Sequence, residues 1–218
     1  MGVLAAVVFD LDGVLLDTEE IWDEVREALV GERGGRWSGR AQADMMGMSS
    51  REWSRYMHDE LGLAEAPEEI SAEVVGRMLE RYRRRLPLID GALAAVERLA
   101  ARCPLALASS SNRELIDTFV QETALEQIFR VTVSSEEVGR GKPAPDVFLE
   151  AARLLGVDPR SCTAVDDSSS GLLAARAAGM RVVAIPNRAF PPSEEALAAA
   201  DVVLERVGEL TAAVVEHP

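Results

Sequence analysis

Two aspartates, Asp10 and Asp12, stand two residues apart where the apolar run Ala6-Val7-Val8-Phe9 gives way to Gly13. Alternate residues of an extended chain face the same side, so both carboxylates can address one small molecule. Carboxylates buried at the end of a strand are costly unless something cationic meets them. A hard cation with oxygen ligands does so, and Mg²⁺ suits a site that keeps waters and draws further ligands from a phosphate. A carboxylate held against a divalent ion stays ionised and can attack phosphorus, while its neighbour can carry a proton if its surroundings raise its pKa. Taken alone, an Asp-x-Asp-Gly stretch equally well ends a strand and makes a turn.

Three later constellations follow apolar runs of the same kind. Ser109-Ser110-Ser111-Asn112 brings hydroxyls and backbone N–H groups to a strand-to-helix junction, which suits a phosphoryl group and equally suits a helix cap. Gly141-Lys142-Pro143 sets one lysine in a turn ahead of a proline-started helix, where a compact ammonium can neutralise phosphate and nucleophile charge. Ala164-Val165-Asp166-Asp167-Ser168 ends a strand with a second acidic pair and opens a helix through Ser168. Two acidic pairs at two strand ends fit a metal better than two unrelated caps.

The elements that must position these residues are short apolar runs without alternation: Val3–Phe9, Pro104–Ala108, Ile128–Val133, Cys162–Val165, Arg181–Ile185 and Asp201–Leu204. Such runs predict a parallel sheet covered on both faces, hence a Rossmann-like, doubly wound α/β core that binds ligands beyond the carboxyl ends of its strands. Leu93, Val96, Leu99 and Ala100 at helical spacing, and the Pro145 to Gly156 bracket, predict two of the covering helices. From Thr18 to about Arg85 the pattern is helical only, with stripes Ile21/Val25/Ala28/Leu29, Trp53/Met57/Leu61 and Val74/Met78/Leu79/Tyr82. The expected organisation is therefore a core of residues 1–17 and 86–218, interrupted by an α-helical cap at 18–85. Trp22, Met45, Met46, Met48 and Trp53 read as cap interior, some of them facing the cleft. Arg77, Arg81, Arg83, Arg84 and Arg85 read as a solvated helix face.

Composition limits the function. The 218 residues carry 23 Lys and Arg against 37 Asp and Glu, a net charge of −14, which excludes a sequence-independent nucleic-acid binder. An anionic substrate must be drawn by local cations. The N-terminal apolar run is short and ends in aspartates, unlike a secretion signal or a membrane span, and Met1-Gly2 lacks the later Ser/Thr of a myristoylation site. A cytoplasmic monomer or weak homodimer is expected. Cys103 and Cys162 give no disulfide framework, and His58 and His217 have no metal-ligand spacing.

In combination and order, Asp10-Leu11-Asp12-Gly13, Ser109, Lys142 and Asp166-Asp167 resemble the four motifs of the haloacid dehalogenase-like hydrolase superfamily, and the resemblance covers essentially the whole chain. Leu16-Asp17-Thr18-Glu19, Gly141-Lys142-Pro143-Ala144-Pro145 and Ala174-Ala175-Arg176-Ala177-Ala178-Gly179-Met180 are similar to the helical-cap branch of sugar phosphatases and β-phosphoglucomutase. The resemblance implies Mg²⁺ and an aspartyl-phosphate intermediate, with Asp10 as nucleophile and Asp12 as general acid and base. It implies a metal held by Asp10, the Asp12 carbonyl and Asp167, with Asp166 as a direct or water-mediated ligand. Ser109 and Lys142, with Asn112, would grip the phosphoryl oxygens of a small phosphorylated metabolite. Trp22 falls where the mutase pattern has a gating histidine, so nothing is expected to hold Asp12 back and water is the expected acceptor. Arg51, in a segment resembling a mutase cap, keeps a phosphosugar mutase as the alternative. A dehalogenase leaves Asp12 and the second acidic pair without purpose, and a phospho-accepting receiver module has no helical insertion. A catalytically silent binding protein leaves the full set of catalytic residues unexplained.

Overall fold

A computed structural model describes residues 4–216. Six parallel strands form one sheet in the order β3-β2-β1-β4-β5-β6: β1 (Ala6–Phe9), β2 (Leu105–Ser109), β3 (Phe129–Ser134), β4 (Cys162–Asp166), β5 (Arg181–Ala184) and β6 (Val202–Val203). All six expected runs are strands, within a few residues at their ends. The expected start of the first at Val3, together with Met1, Gly2 and His217, lies outside the described residues. This is the strand order of a doubly wound nucleotide-binding sheet, in which chain connections diverge on either side of the first strand.

Four helices separate β1 from the core: α1 (Glu19–Glu32), α2 (Ala41–Met45), α3 (Ser50–Asp59) and α4 (Pro67–Arg84). Six more alternate with the strands or close the chain: α5 (Ala92–Ala100), α6 (Arg113–Glu122), α7 (Asp146–Leu155), α8 (Ser169–Ala177), α9 (Glu194–Ala198) and α10 (Ala212–Val215). α7 ends as expected on Gly156, in the left-handed region.

Both faces of the sheet are buried, which is why its strands carry no polar alternation. One face is bulky, with Val7, Phe9, Leu105, Leu107, Val165 and Val183 against the apolar stripes of α5 and α6. The other is small, with Ala6, Val8, Ala106, Ala108, Ala164 and Ala184, and lets α7 and α8 approach through Phe148, Ala151, Leu172 and Ala175. The bulky cluster runs on without a break into the helical insertion, through Trp22, Val25, Leu29, Trp53, Met57, Val74 and Met78. The buried face of α1 is Trp22, Val25, Arg26 and Leu29, whereas Ala28 is exposed and Ile21 half-buried. The expected stripe is thus rotated by about one residue, because Trp22 and Arg26 point into a cavity. Part of the arginine cluster binds α4 to α1: Arg77 pairs with Glu32 at 2.6 Å and Arg81 with Glu24 at 3.4 Å.

The two chain segments joining insertion to core run side by side. Asp17 N–H donates to Pro87 O at 2.8 Å, Ile89 N–H donates to Leu15 O at 3.0 Å, and Leu16 bridges Leu88 antiparallel. Among the described residues no helix is long and apolar enough to cross a membrane.

Phe119 on α6 is fully buried, its ring 6.4 Å from that of Phe129 and remote from the acidic strand ends. Phe119→Ala should cost about 3–5 kcal/mol of stability, read as a lowered urea midpoint at unchanged slope.

Candidate active site

β1 and β4 lie side by side with Phe9 opposite Val165, so Asp10 and Asp166 leave the sheet at one level. Asp10 N–H donates to Val165 O at 2.9 Å, fixing that register to the end. The turn after Asp12 closes through Gly13 N–H donating to Leu16 O at 2.7 Å. Gly13 has φ +73°, and a Cβ there would overlap the Asp167 carboxylate. Behind Asp166, Ser168 caps α8 by accepting from Gly171 N–H at 3.0 Å, and a Cβ at Gly171 would overlap Asp166. Both glycines are therefore fixed by close approach to an acid.

Lys142 reaches this junction from the loop ahead of α7. Its Nζ lies 2.9 Å from Asp10 Oδ1 and 2.7 Å from Asp166 Oδ2, and 5.0 Å from the centre of the Phe148 ring. Burial alone would depress the ammonium; Asp10 and Asp166 reverse that and hold it above the ordinary lysine range. One cation does not balance the acids. Burial first, then Asp166 and Asp12, raises Asp10 to about 8 against the pull of Lys142, and burial with Glu19, Asp166 and Asp10 raises Asp167 well above the ordinary aspartate range.

Carboxylate oxygens of Asp10, Asp166 and Asp167 come within 4.8 Å of one another, a group that could hold a metal ion. The donor set fits a hard divalent cation. Asp167 Oδ2 is buried with no hydrogen-bond donor, and Asp10 Oδ1 has none beyond its ion pair. Asp166 is already engaged: Oδ1 accepts from Ser168 N–H and Oγ at 3.0 and 2.9 Å, and Oδ2 from Lys142. The oxygen with no donor at all thus belongs to Asp167, and Asp10 Oδ1 meets only the Lys142 ammonium.

Asp12 accepts four hydrogen bonds, all from neutral donors. Thr18 Oγ1 at 2.5 Å and Trp22 Nε1 at 3.2 Å donate to Oδ1; Ser111 Oγ at 2.6 Å and Ser109 Oγ at 3.5 Å donate to Oδ2. Trp22 therefore contacts Asp12, its indole N–H reaching the carboxylate from the first turns of α1. Ser109 is fully buried and accepts from Ser111 N–H at 3.0 Å, so Ser110 and Ser111, not Ser109, line the cavity. Sequence reasoning missed Thr18 and Ser111. Thr18 sits at the N-cap of α1 without a side-chain cap bond, its hydroxyl being spent on Asp12.

The cavity is lined by Asp10, Asp12, Lys142 and Asp167 at one end and by Glu19, Trp22, Arg26, Met45 and Trp53 at the other. Its volume is about 40 Å³, room for a few waters. The Met46-Gly47-Met48 segment closes it, with Ser170 Oγ donating to Met46 O at 3.2 Å and Ser110 Oγ to Gly47 O at 2.8 Å. Asn112 and Arg51 do not join it. They line a separate cleft of about 530 Å³ between insertion and core, where Asn112 Nδ2 donates to Glu136 at 2.8 Å.

The pattern described as "Haloacid dehalogenase-like hydrolase" matches residues 7–185, spanning both acidic strand ends and Lys142. The chain belongs to the haloacid dehalogenase-like hydrolase family. Hexitol phosphatase B of Escherichia coli is 30% identical over 217 residues, 96% of this chain and 95% of that protein. The bifunctional riboflavin kinase/FMN phosphatase of Arabidopsis thaliana is 30% identical over 202 residues, 92% of this chain but 52% of that protein, so the chain spans about half its length. The solved structure of CbbY from Rhodobacter sphaeroides, in complex with xylulose 1,5-bisphosphate, superposes with TM-score 0.85 at 25% identity, covering 98% of this chain and 100% of the other. As a member of the haloacid dehalogenase-like hydrolase family with phosphatases for relatives, this chain is an enzyme of the phosphoric monoester hydrolase class.

Two outcomes follow from the crowding of acids. Gly13→Ala should weaken Mg²⁺ binding at least about tenfold, since the new methyl must displace Asp167 and bear a positive φ; isothermal titration with Mg²⁺ reads it. Burial, then Asp12, raises Glu19 to about 7 from the ordinary 4.5. Between those values the unfolded chain has released the proton that the folded protein retains, so folding stability falls as pH rises through the window. Glu19→Gln removes that penalty. Its stability relative to the parent, in metal-free protein, should grow from pH 4.5 to 7 and then level off, as urea denaturation across pH measures.

Proposed function

We propose that this chain is a Mg²⁺-dependent phosphatase hydrolysing a small phosphorylated metabolite, a sugar phosphate, through an aspartyl-phosphate intermediate. The observation that carries the reading is the cluster at the β1–β4 junction: a buried carboxylate, Asp10, against one ammonium and beside an acid whose Oδ2 has no donor. Phosphoryl transfer asks for in-line positioning and neutralisation of spread negative charge rather than elaborate covalent chemistry. Asp10 and Asp167, with the Asp12 carbonyl, would hold the ion, and Asp166 would act through water or through Lys142. Bound there, Mg²⁺ supplies charge neutralisation at the phosphoryl oxygens and fixes them for in-line attack.

Asp10 attacks phosphorus as the bond to the leaving oxygen breaks, and Lys142 neutralises charge on the equatorial oxygens. Asp12 delivers the proton to the leaving group and then takes one from the water that releases phosphate. Its neighbours indicate which oxygen works. Trp22 can only donate, so Oδ1 stays an acceptor; Ser111 can turn its hydroxyl, so Oδ2 can carry the proton. Residues 18–85 would serve as a cap over the site, parting at the paired connectors to admit a substrate larger than the closed cavity and shutting out water during transfer.

The relatives support this reading in substrate class: hexitol phosphatase B is named for a polyol phosphate and is covered almost end to end. Water is the acceptor in our reading, because Arg51, the residue that would anchor a second phosphate in a mutase, lines the other cleft. Two free cysteines accord with a cytoplasmic enzyme.

Asp10→Asn should lower kcat by about 10³-fold or more while leaving the fold intact. Excess chelator should abolish phosphate release and added Mg²⁺ restore it. Full turnover in chelator would remove the metal mechanism. Asp12→Ala should lose about tenfold or more activity on glycerol 3-phosphate than on p-nitrophenyl phosphate, whose leaving group needs little protonation; equal losses would remove the acid role.

A further inference from the structure

Arg26 is the least explained charge in the molecule. It is 5% exposed, lines the cavity opposite the acidic cluster, and has no carboxylate within salt-bridge distance among the described residues. Its guanidinium lies 4.5 Å from the ring centre of Trp22 and 4.8 Å from that of Trp53. Of its five N–H donors, one on Nη1 donates to Gln42 Oε1 at 2.9 Å, and the buried Nε has no partner. An arginine that serves only the fold is ordinarily paired or surrounded by carbonyls, since a buried charge with unmet donors is costly.

Glu19, Trp22 and Arg26 are spaced three and four apart and so share one face of α1. Gln42 joins the outer two: its Nε2 donates to Glu19 Oε2 at 2.9 Å while its Oε1 accepts from Arg26. The amide keeps acid and base from pairing directly and leaves both with valence toward the cavity. The wall therefore offers a carboxyl group and a forked cationic donor side by side, flanked by two indoles. A second anion would meet Arg26 only alongside the carboxyl groups of Glu19 and Asp12, which line the same cavity. Neighbouring hydroxyls, each able to donate to Glu19 and accept from Arg26, meet the wall without that conflict.

We infer that Arg26, positioned by Gln42 and stacked between Trp22 and Trp53, is a specificity-determining residue that selects phosphate esters whose leaving group is a polyol. The inference rests on the phosphatase reading for the place of the phosphoryl group and adds what binds beyond it.

The test uses sorbitol 6-phosphate, 2-phosphoglycolate and p-nitrophenyl phosphate with the parent enzyme, Arg26→Met and Arg26→Lys. Arg26→Met should lower kcat/KM for sorbitol 6-phosphate by about 10–100-fold more than for p-nitrophenyl phosphate, chiefly through KM, the worth of a hydrogen bond to a charged group. Arg26→Lys, which keeps the charge without the fork, should recover part of the loss and carries the comparison if Arg26→Met does not fold. Binding is read separately by calorimetry in the Asp10→Asn background, where Arg26→Met should weaken sorbitol 6-phosphate at least about tenfold. Equal losses on all three substrates would make Arg26 structural, and the largest loss on 2-phosphoglycolate would make the occupant a carboxylate. Asp10→Asn protein that binds sorbitol 6-phosphate no better than inorganic phosphate would also overturn the inference. Tight, Arg26-dependent binding without turnover in the parent would instead uphold it and remove the phosphatase reading.

Discussion

Asp10, Asp12, Asp166 and Asp167 crowd the ends of two adjacent strands with Lys142 as the one cation in contact with them among the described residues. Like charges this close in a buried site cannot all ionise without help, and the raised Asp10 and Asp167 record the shortfall. The surrounding structure is shaped to keep that arrangement. The parallel register of β1 and β4 brings the two acidic pairs level, two glycines leave room for two carboxylates, and Ser168 satisfies Asp166 while starting α8. Such a site is costly by itself, and a divalent ion held there would offset that cost and couple folding free energy to metal binding.

The insertion stands in a different relation to the sheet. Its apolar interior is continuous with the bulky sheet face, so closure is backed by packing as well as by the hydrogen bonds of Ser110 and Ser170 to the Met46-Gly47 segment. A cavity of 40 Å³ is smaller than a phosphorylated sugar, so in the proposed reading the insertion would part from the core to admit one. The two connectors meet at the Leu16–Leu88 bridge, so insertion and core are joined by two adjacent crossings.

What was legible in the sequence is what local chain geometry determines. Asp10 and Asp12, Lys142, and Asp166 with Asp167 follow strands whose apolar runs are plain, and a parallel sheet gathers strand ends automatically. Which hydroxyl of Ser109-Ser110-Ser111 faces Asp12 depends on the turn between them. The turn buries Ser109 as an acceptor for Ser111 N–H and brings Ser111 to 2.6 Å. Asn112 and Arg51 depend on how insertion and core dock, which no local pattern encodes, and both face the other cleft. Arg26 was hidden by its type: a periodicity search counts apolar residues, and a stacked guanidinium on the buried face of α1 is read as solvent-facing. The five-residue α2 is too short to show a period at all.

Asp12 is where these two relations meet. Its four donors come from three segments: Thr18 and Trp22 from the start of the insertion, Ser109 and Ser111 from the end of β2, with the carboxylate itself following β1. Thr18 and Trp22 both hold Oδ1, whereas Ser111 holds Oδ2, so the insertion and the sheet each grip one oxygen of the carboxylate. The insertion thus does more than cover the site: through Thr18 and Trp22 it supplies two of the four donors that orient the Asp12 carboxylate.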